Sequence, residues 1–347
     1  MPLPIPSILT HPSFPTVISL PQPTRKGKAP VATTRGGPFD IAWEVYGEGN
    51  IRVVWVMGLN APGMAWHRQS RYFGVDRGHI YSSLVFDNRG VGNSDKPLLR
   101  YTTTEMARDL LEVLSHVGWT GEERRIHLVG ASMGGMIAME FALLAPHLLA
   151  SLTLQSTAAK LIDPLPWYTT LVNRVTMFLP KPLPLRLQHT QSVLFTPTFL
   201  SSAPSPPTTD PTFPTNADLF IAEELWRRAH LPITPWANYL LQGLAVSGHC
   251  ISADRLKSLG EVLEGRVKIR VITGDEDKLV AWTHSKEIVE GMEEGRGELV
   301  MERGCGHVVH WERGGERGYN VAMEEYFGVG EWAWGRGREE SARGESG

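Results

Sequence analysis

The chain predicts an α/β fold: a mostly parallel central sheet with helices on both faces, interrupted by a mainly helical, proline-rich insertion. Three observations lead there. Apolar runs of strand length alternate with helix-like segments, as a parallel sheet with covering helices requires. The segment 125–129 turns apolar like a buried strand and passes through Gly130-Ala131-Ser132-Met133-Gly134 straight into an apolar helical run, 136–144. Finally, 347 residues with 42% apolar side chains are enough to bury a substantial core.

Taken in order, residues 1–38 carry prolines at 2, 4, 6, 12 and 15 and no acidic residue. This composition reads as a disordered extension that contributes no regular element to the core. The prolines also break any stretch that a secretory peptide would need, while the lack of acids leaves mitochondrial import open. The core's first half, 39–156, offers strands at 51–56, 83–86, 126–129 and 151–154. After Asp95 a helix is marked by Thr102 and Glu105 as a capping box, by Met106, Leu110, Val113, Leu114 and Val117 as one apolar face, and by Gly118 as its stop.

The rhythm breaks at 157–244, which holds thirteen of the 25 prolines. Only short helices and loops fit there, and the stretch reads as a cap over the serine of the 130–134 turn. Its aromatics include Trp167, Tyr168, Phe178, Phe195, Phe199, Phe220 and Trp226. Most are expected to pack the cap's own small core, with Trp167 and Phe195 as candidates to line a pocket. The second half of the core, 245–330, supplies a strand at 268–272 and a short one at 297–301, and 331–347 reads as a solvated tail.

Charge and cysteine content exclude several functions. A net charge of −3 without a basic patch gives no reason to invoke nucleic acid. No run approaches the roughly 18 apolar residues of a membrane helix. Two cysteines, Cys250 and Cys305, are too few for a disulfide framework, and a reducing cytoplasm is the expected setting.

The chemistry starts at Ser132. A serine in so tight a strand-to-helix turn sits at strained backbone angles, and Gly130 and Gly134 are required because side chains there would strike neighbouring backbone. A serine alone is a poor nucleophile and needs a base and an acid. The strand at 268–272 runs into Gly274-Asp275-Glu276-Asp277, where an acid belongs, and the last strand leads to Gly304-Cys305-Gly306-His307, a glycine-flanked base. Cys305 is read as a small packed residue. His307 and His310 have a spacing that suggests metal, but no further ligand cluster accompanies them, so neither metal nor cofactor is expected.

The order Ser132, acid, His307 resembles that of the α/β-hydrolase superfamily, and the resemblance covers roughly 39–328. It rests on four motifs: Met57-Gly58-Leu59-Asn60, the stretch from Asp87 to Asp95, the elbow, and the acid and histidine segments. In such enzymes the acid stands three residues after the strand-end glycine, which selects Asp277. The other location used in the family, one strand earlier, ends here in Gln155-Ser156-Thr157 without a carboxylate. The resemblance further implies an oxyanion hole built from the backbone N–H groups of Leu59 and Met133. Met57 departs from the family, which usually has histidine before that glycine, and this puts the loop's hydrogen bonding in question. The stretch 87–95 resembles a structural turn in which a buried Arg and Asp tie loops together. The implied activity is hydrolysis of a small to medium apolar ester or related carbonyl compound. Carbon–carbon bond hydrolysis by the same triad and a non-catalytic ligand-binding protein are the alternatives.

Overall fold

The computed structural model describes residues 3–161, 179, 181–205, 211–263, 267–292, 295–313 and 315–328. Its framework is one eight-stranded sheet: β1 (Arg25–Val31), β2 (Phe39–Tyr46), β3 (Ile51–Val56), β4 (Tyr81–Phe86), β5 (Ile126–Ala131), β6 (Leu149–Gln155), β7 (Lys268–Gly274) and β8 (Glu298–Glu302). The strands lie in the order β1-β2-β4-β3-β5-β6-β7-β8. From β4 to β8 every pairing is parallel, and only β1 and β2 run antiparallel to their neighbours.

Residues next to one another on a strand point to opposite faces. Val54 and Val56 of β3 therefore join one apolar cluster, with Leu128, Leu152, Leu154 and Val271, beneath helices α2 (Thr103–Val117) and α3 (Met133–Leu144). Val53 and Trp55 join the other, with Phe73, Val129, Ile272 and Tyr319. Burial on both faces is why these strands read as nearly unbroken apolar runs. The expected α2 forms as its sequence indicates: the Glu105 N–H donates to Thr102 Oγ1 at 3.2 Å, and Gly118 closes the helix at φ 84°.

The N-terminal expectation is corrected. Instead of a disordered extension, residues 3–38 supply a helical turn, α1 (Ile5–Leu9), and the edge strand β1. Proline is tolerated because of where it falls. Pro30 lies opposite Asp40, whose backbone N–H and C=O both turn away to Asp95, at 2.8 and 2.9 Å, so no ladder bond is lost. Just beyond β1, Arg35 forms ion pairs with Glu105, Asp109 and Glu112 on α2 at 2.5 to 2.9 Å.

Between β6 and β7 the described chain is helical: α4 (Leu183–Leu194), α5 (Pro197–Ser201), α6 (Asn216–His230) and α7 (Trp236–Ser247). The N-terminal segment packs against this insertion. The Leu3 N–H donates to Asp218 Oδ1 at 2.6 Å, Trp226 Nε1 donates to the Pro15 carbonyl at 3.1 Å, and His11 stacks on Phe213 at 4.1 Å. Ile8, fully buried, joins Phe195, Phe213, Phe220, Ile221 and Trp311 in a separate apolar cluster. Trp167, Tyr168, Phe178 and the tail 331–347 lie outside the described residues. Helix α8 (Ala253–Val262) leads into β7, and α9 (Trp282–Gly291), α10 (Val309–Glu312) and α11 (Gly315–Phe327) follow it to complete the core.

Because Ile8 is part of that cluster, Ile8→Ala is expected to lower the unfolding free energy by about 2–5 kcal/mol in denaturant titration. An unchanged midpoint would mean that the first residues carry no stability.

Candidate active site

The parallel strands aim their C-terminal ends at one edge of the sheet, and the residues singled out in the sequence collect there. Ser132 follows β5 directly and adopts φ 56°, ψ −123°, a conformation that side chains rarely accept. Three contacts hold it. Its N–H donates to the Gln155 carbonyl at 2.8 Å, and its own carbonyl accepts from Thr157 Oγ1 at 2.8 Å and from the Gly135 N–H at 2.9 Å. The tightness is visible at the glycines. A Cβ on Gly130 would stand 2.3 Å from the Gly134 carbonyl oxygen, and one on Gly134 would stand 2.1 Å from that of Val56.

Gly58 brings the loop after β3 against the same turn: a Cβ there would lie 3.1 Å from Ser132 Cβ. Among the described residues, the N–H groups of Leu59 and Met133 enter no hydrogen bond, whereas the next amide, Asn60 N–H, is taken by Gln242 Oε1 at 2.7 Å. The loop is anchored without a histidine at position 57, because the Met57 carbonyl accepts from Asn88 Nδ2 at 3.0 Å. The stretch 87–95 does structural work. Asp87 accepts from the Gly63 and Asn93 N–H groups, both at 2.7 Å, and burial pushes its carboxyl up to about 6. Arg89 pairs with Asp109 at 2.5 Å, both buried.

Asp277 and His307 meet directly, with Oδ2 2.8 Å from Nδ1. The other carboxylate oxygen accepts from the Leu279 and Val280 N–H groups at 2.8 and 2.9 Å, and the Asp277 side chain is 0% exposed. Its neighbours differ. Asp275 and Glu276 are exposed, and Asp275 supports the histidine loop by accepting from the Gly304 N–H at 2.7 Å. The His307 N–H in turn donates to the Leu194 carbonyl at 2.9 Å, so α4 of the insertion backs the histidine. Ser132 Oγ itself makes no hydrogen bond with a described residue. Such contacts often close only when substrate is present.

Other ionisable groups nearby are poor reagents. Burial pushes the Cys305 thiol up to about 12 and the His310 imidazole down to about 3. Phe195 is 2% exposed and packs ring to ring with Phe199, Phe220 and Trp311, 5.3 to 5.4 Å between centroids, so its side chain belongs to the insertion's own cluster. Among the described residues no three His, Cys, Asp or Glu side chains are grouped as metal ligands, and no helix is long and apolar enough to cross a membrane. Gln155, Thr157, Gln242 and Glu312 were not singled out as functional residues by the sequence. Glu312 accepts from the Thr196 N–H and hydroxyl at 3.1 and 2.8 Å, tying the insertion to the histidine's helix.

Comparison with known proteins agrees with this architecture. A family model described as alpha/beta hydrolase fold matches residues 52–314. A protein of Azorhizobium caulinodans that carries the name carbamate hydrolase RutD is 30% identical over 119 residues, 34% of this chain and 42% of that protein. The chain thus spans less than half the length of the curated relatives it matches first. Among solved structures, a thermophilic esterase from Thermogutta terrifontis superposes with a TM-score of 0.65 at 22% identity, covering 87% of this chain and 98% of the other. A meta-cleavage product hydrolase from Pseudomonas fluorescens IP01 does so with a TM-score of 0.65 at 18% identity, covering 88% and 98%.

The backbone contact at Gly134 makes a structural test. Gly134→Ala should cost at least about 2 kcal/mol of stability, or prevent folding, because Val56 is locked in the sheet centre. A soluble variant with unchanged unfolding would contradict the close approach.

Proposed function

This chain belongs to the alpha/beta hydrolase fold family of enzymes, and from that premise we propose that it is a serine hydrolase cleaving carboxylic esters of small to medium apolar substrates. The observation that carries the reading is a strained serine flanked by two unpaired backbone amides, on the same sheet edge as a histidine held by a buried carboxylate. Asp277 accepts a hydrogen bond from the Nδ1–H of His307, which leaves Nε2 free to take the proton of Ser132. Ser132 Oγ then attacks the ester carbonyl. The oxyanion forms against the Leu59 and Met133 N–H groups, each such donor contributing about 3–4 kcal/mol to transition-state stabilisation. As the tetrahedral intermediate collapses, the C–O bond breaks and His307 returns the proton to the leaving alcohol. Water, deprotonated by His307, then cleaves the acyl-enzyme and regenerates Ser132. Protonated imidazole cannot act as the base, so turnover falls on acidification.

The apolar side of the substrate is read from what surrounds these groups. Met136, Ala158 and Val280 pack with half-buried Leu161 and Leu279, in segments that directly follow Ser132, Thr157 and Asp277, and with Val246 of α7. The insertion then acts as a cap that sets substrate range and supplies no catalytic group.

Two measurements test the assignment. Fluorophosphonate treatment followed by mass spectrometry is expected to place the adduct on Ser132, and Ser132→Ala should lose at least about 10⁴-fold in kcat with unfolding unchanged. An adduct elsewhere, or none on folded protein, would overturn the reading. For the acid, Asp277→Asn keeps the bonds to Leu279 and Val280 but cannot accept from Nδ1–H, so kcat should fall on the order of 10⁴-fold. Asp275→Asn retains a carbonyl oxygen for the Gly304 N–H and should leave kcat in its original range. The reverse ranking would move the acid to Asp275.

A further inference from the structure

Gln155 joins the nucleophile's turn to the helix that follows the base. Its backbone carbonyl accepts the Ser132 N–H at 2.8 Å, and its side-chain nitrogen lies 2.7 Å from Nδ1 of His310. His310 stands three residues beyond His307, on α10, which begins at Val309. Both side chains are shielded from water, with Gln155 0% and His310 2% exposed. With the amide nitrogen facing the ring, Gln155 donates and Nδ1 of His310 accepts. Trp66 covers the ring at 4.4 Å between centroids, which leaves the imidazole one orientation.

This bridge answers a geometric need. Asp277 orients His307 from the Nδ1 side, but among the described residues Ser132 Oγ makes no hydrogen bond that would hold it to the ring. Their separation must therefore be set by the frame around them. Ser132 is attached to β6 through the carbonyl of Gln155, and α10, which begins two residues after His307, is attached to β6 through the side chain of the same residue. One residue thus registers both halves of the proposed pair.

We propose that Gln155 and His310 form a positioning bridge that sets the distance and direction between Ser132 and His307. Neither residue exchanges protons or touches the substrate. The inference rests on the Ser132–His307–Asp277 reading and adds to it two residues with a defined job. Because a misplacement of about 1 Å can cost about a hundredfold in rate, breaking the bridge should slow the chemical step and leave binding alone.

The test uses the full chain with two matched substitutions at one end and one at the other. Gln155→Met keeps the side chain's length but cannot donate. Gln155→Glu restores a bond to Nδ1, either as an acid that donates or as a carboxylate that accepts from the other His310 tautomer. His310→Phe removes the acceptor. For each, kcat and KM on an activated acetate ester, the rate of fluorophosphonate labelling at Ser132, and thermal unfolding are measured. Gln155→Met and His310→Phe should each lower kcat and labelling by about tenfold to a hundredfold with KM within about twofold. The double variant should be no slower than the worse single one, and Gln155→Glu should recover most of the loss. If folded Gln155→Met labels and turns over at the wild-type rate, or if KM rises in place of a fall in kcat, the bridge has no positioning role and the triad reading stands. Wild-type protein that neither labels at Ser132 nor turns over any ester would overturn both. Should Gln155→Met fail to fold, His310→Phe decides: a folded variant that labels and turns over at the wild-type rate refutes the bridge, and a fall in kcat and labelling at unchanged KM supports it.

Discussion

The structure depends on one crowded turn. Ser132 is held at positive φ because its N–H is tied to β6 and its carbonyl to Thr157 and α3, while Gly130 and Gly134 let strand, helix and the end of β3 approach to backbone contact. A non-glycine residue in such a conformation costs about 1–3 kcal/mol and persists only where its surroundings overdetermine it. The central sheet provides that. β5 is buried on both faces and paired on both edges, so the strain cannot relax by moving the strand.

Around the turn, side chains fasten loops that have no secondary structure of their own. The loop after β3 is held by Asn88 and by Gln242, and Gln242 also donates to the Arg89 carbonyl at 3.0 Å. Arg89 is in turn fixed by Asp109 on α2. This chain of contacts runs from a core helix through the 87–95 turn to α7 of the insertion. It explains how the loop keeps its course with methionine at position 57: the anchoring point is the carbonyl of that residue, which every amino acid has.

The insertion is fastened to the core by polar groups placed where apolar packing alone would allow sliding. Glu223 on α6 is fully buried between Arg68 of the core and Arg227 of its own helix, and Glu312 holds Thr196. A buried carboxylate that lost its partners would be heavily penalised, so such pairs specify one arrangement more than they add stability. The N-terminal residues extend the same logic. They cover the apolar side of α6 and bring Arg35 to the acidic side of α2.

Alone, the sequence determined the sheet-and-helix alternation, the capped helix 103–117, and the order of elbow serine, acid segment and histidine, because each is written in residues close together in the chain. The elbow is the clearest case, since its glycines are required by contacts within one turn and the adjoining strand. Tertiary structure decided what depends on distant partners. The residues by themselves do not separate Asp277 from Asp275 and Glu276; the family resemblance points to Asp277, and the structure buries its carboxylate against His307, 30 residues away. Gln155 meets His310 across 155 residues and Asn60 meets Gln242 across 182, pairings that leave no local pattern. The proline-rich N-terminus misled for the same reason: composition reports what a segment can do by itself, and this segment is ordered by a strand edge, an acidic helix face and an apolar helix supplied by the rest of the fold.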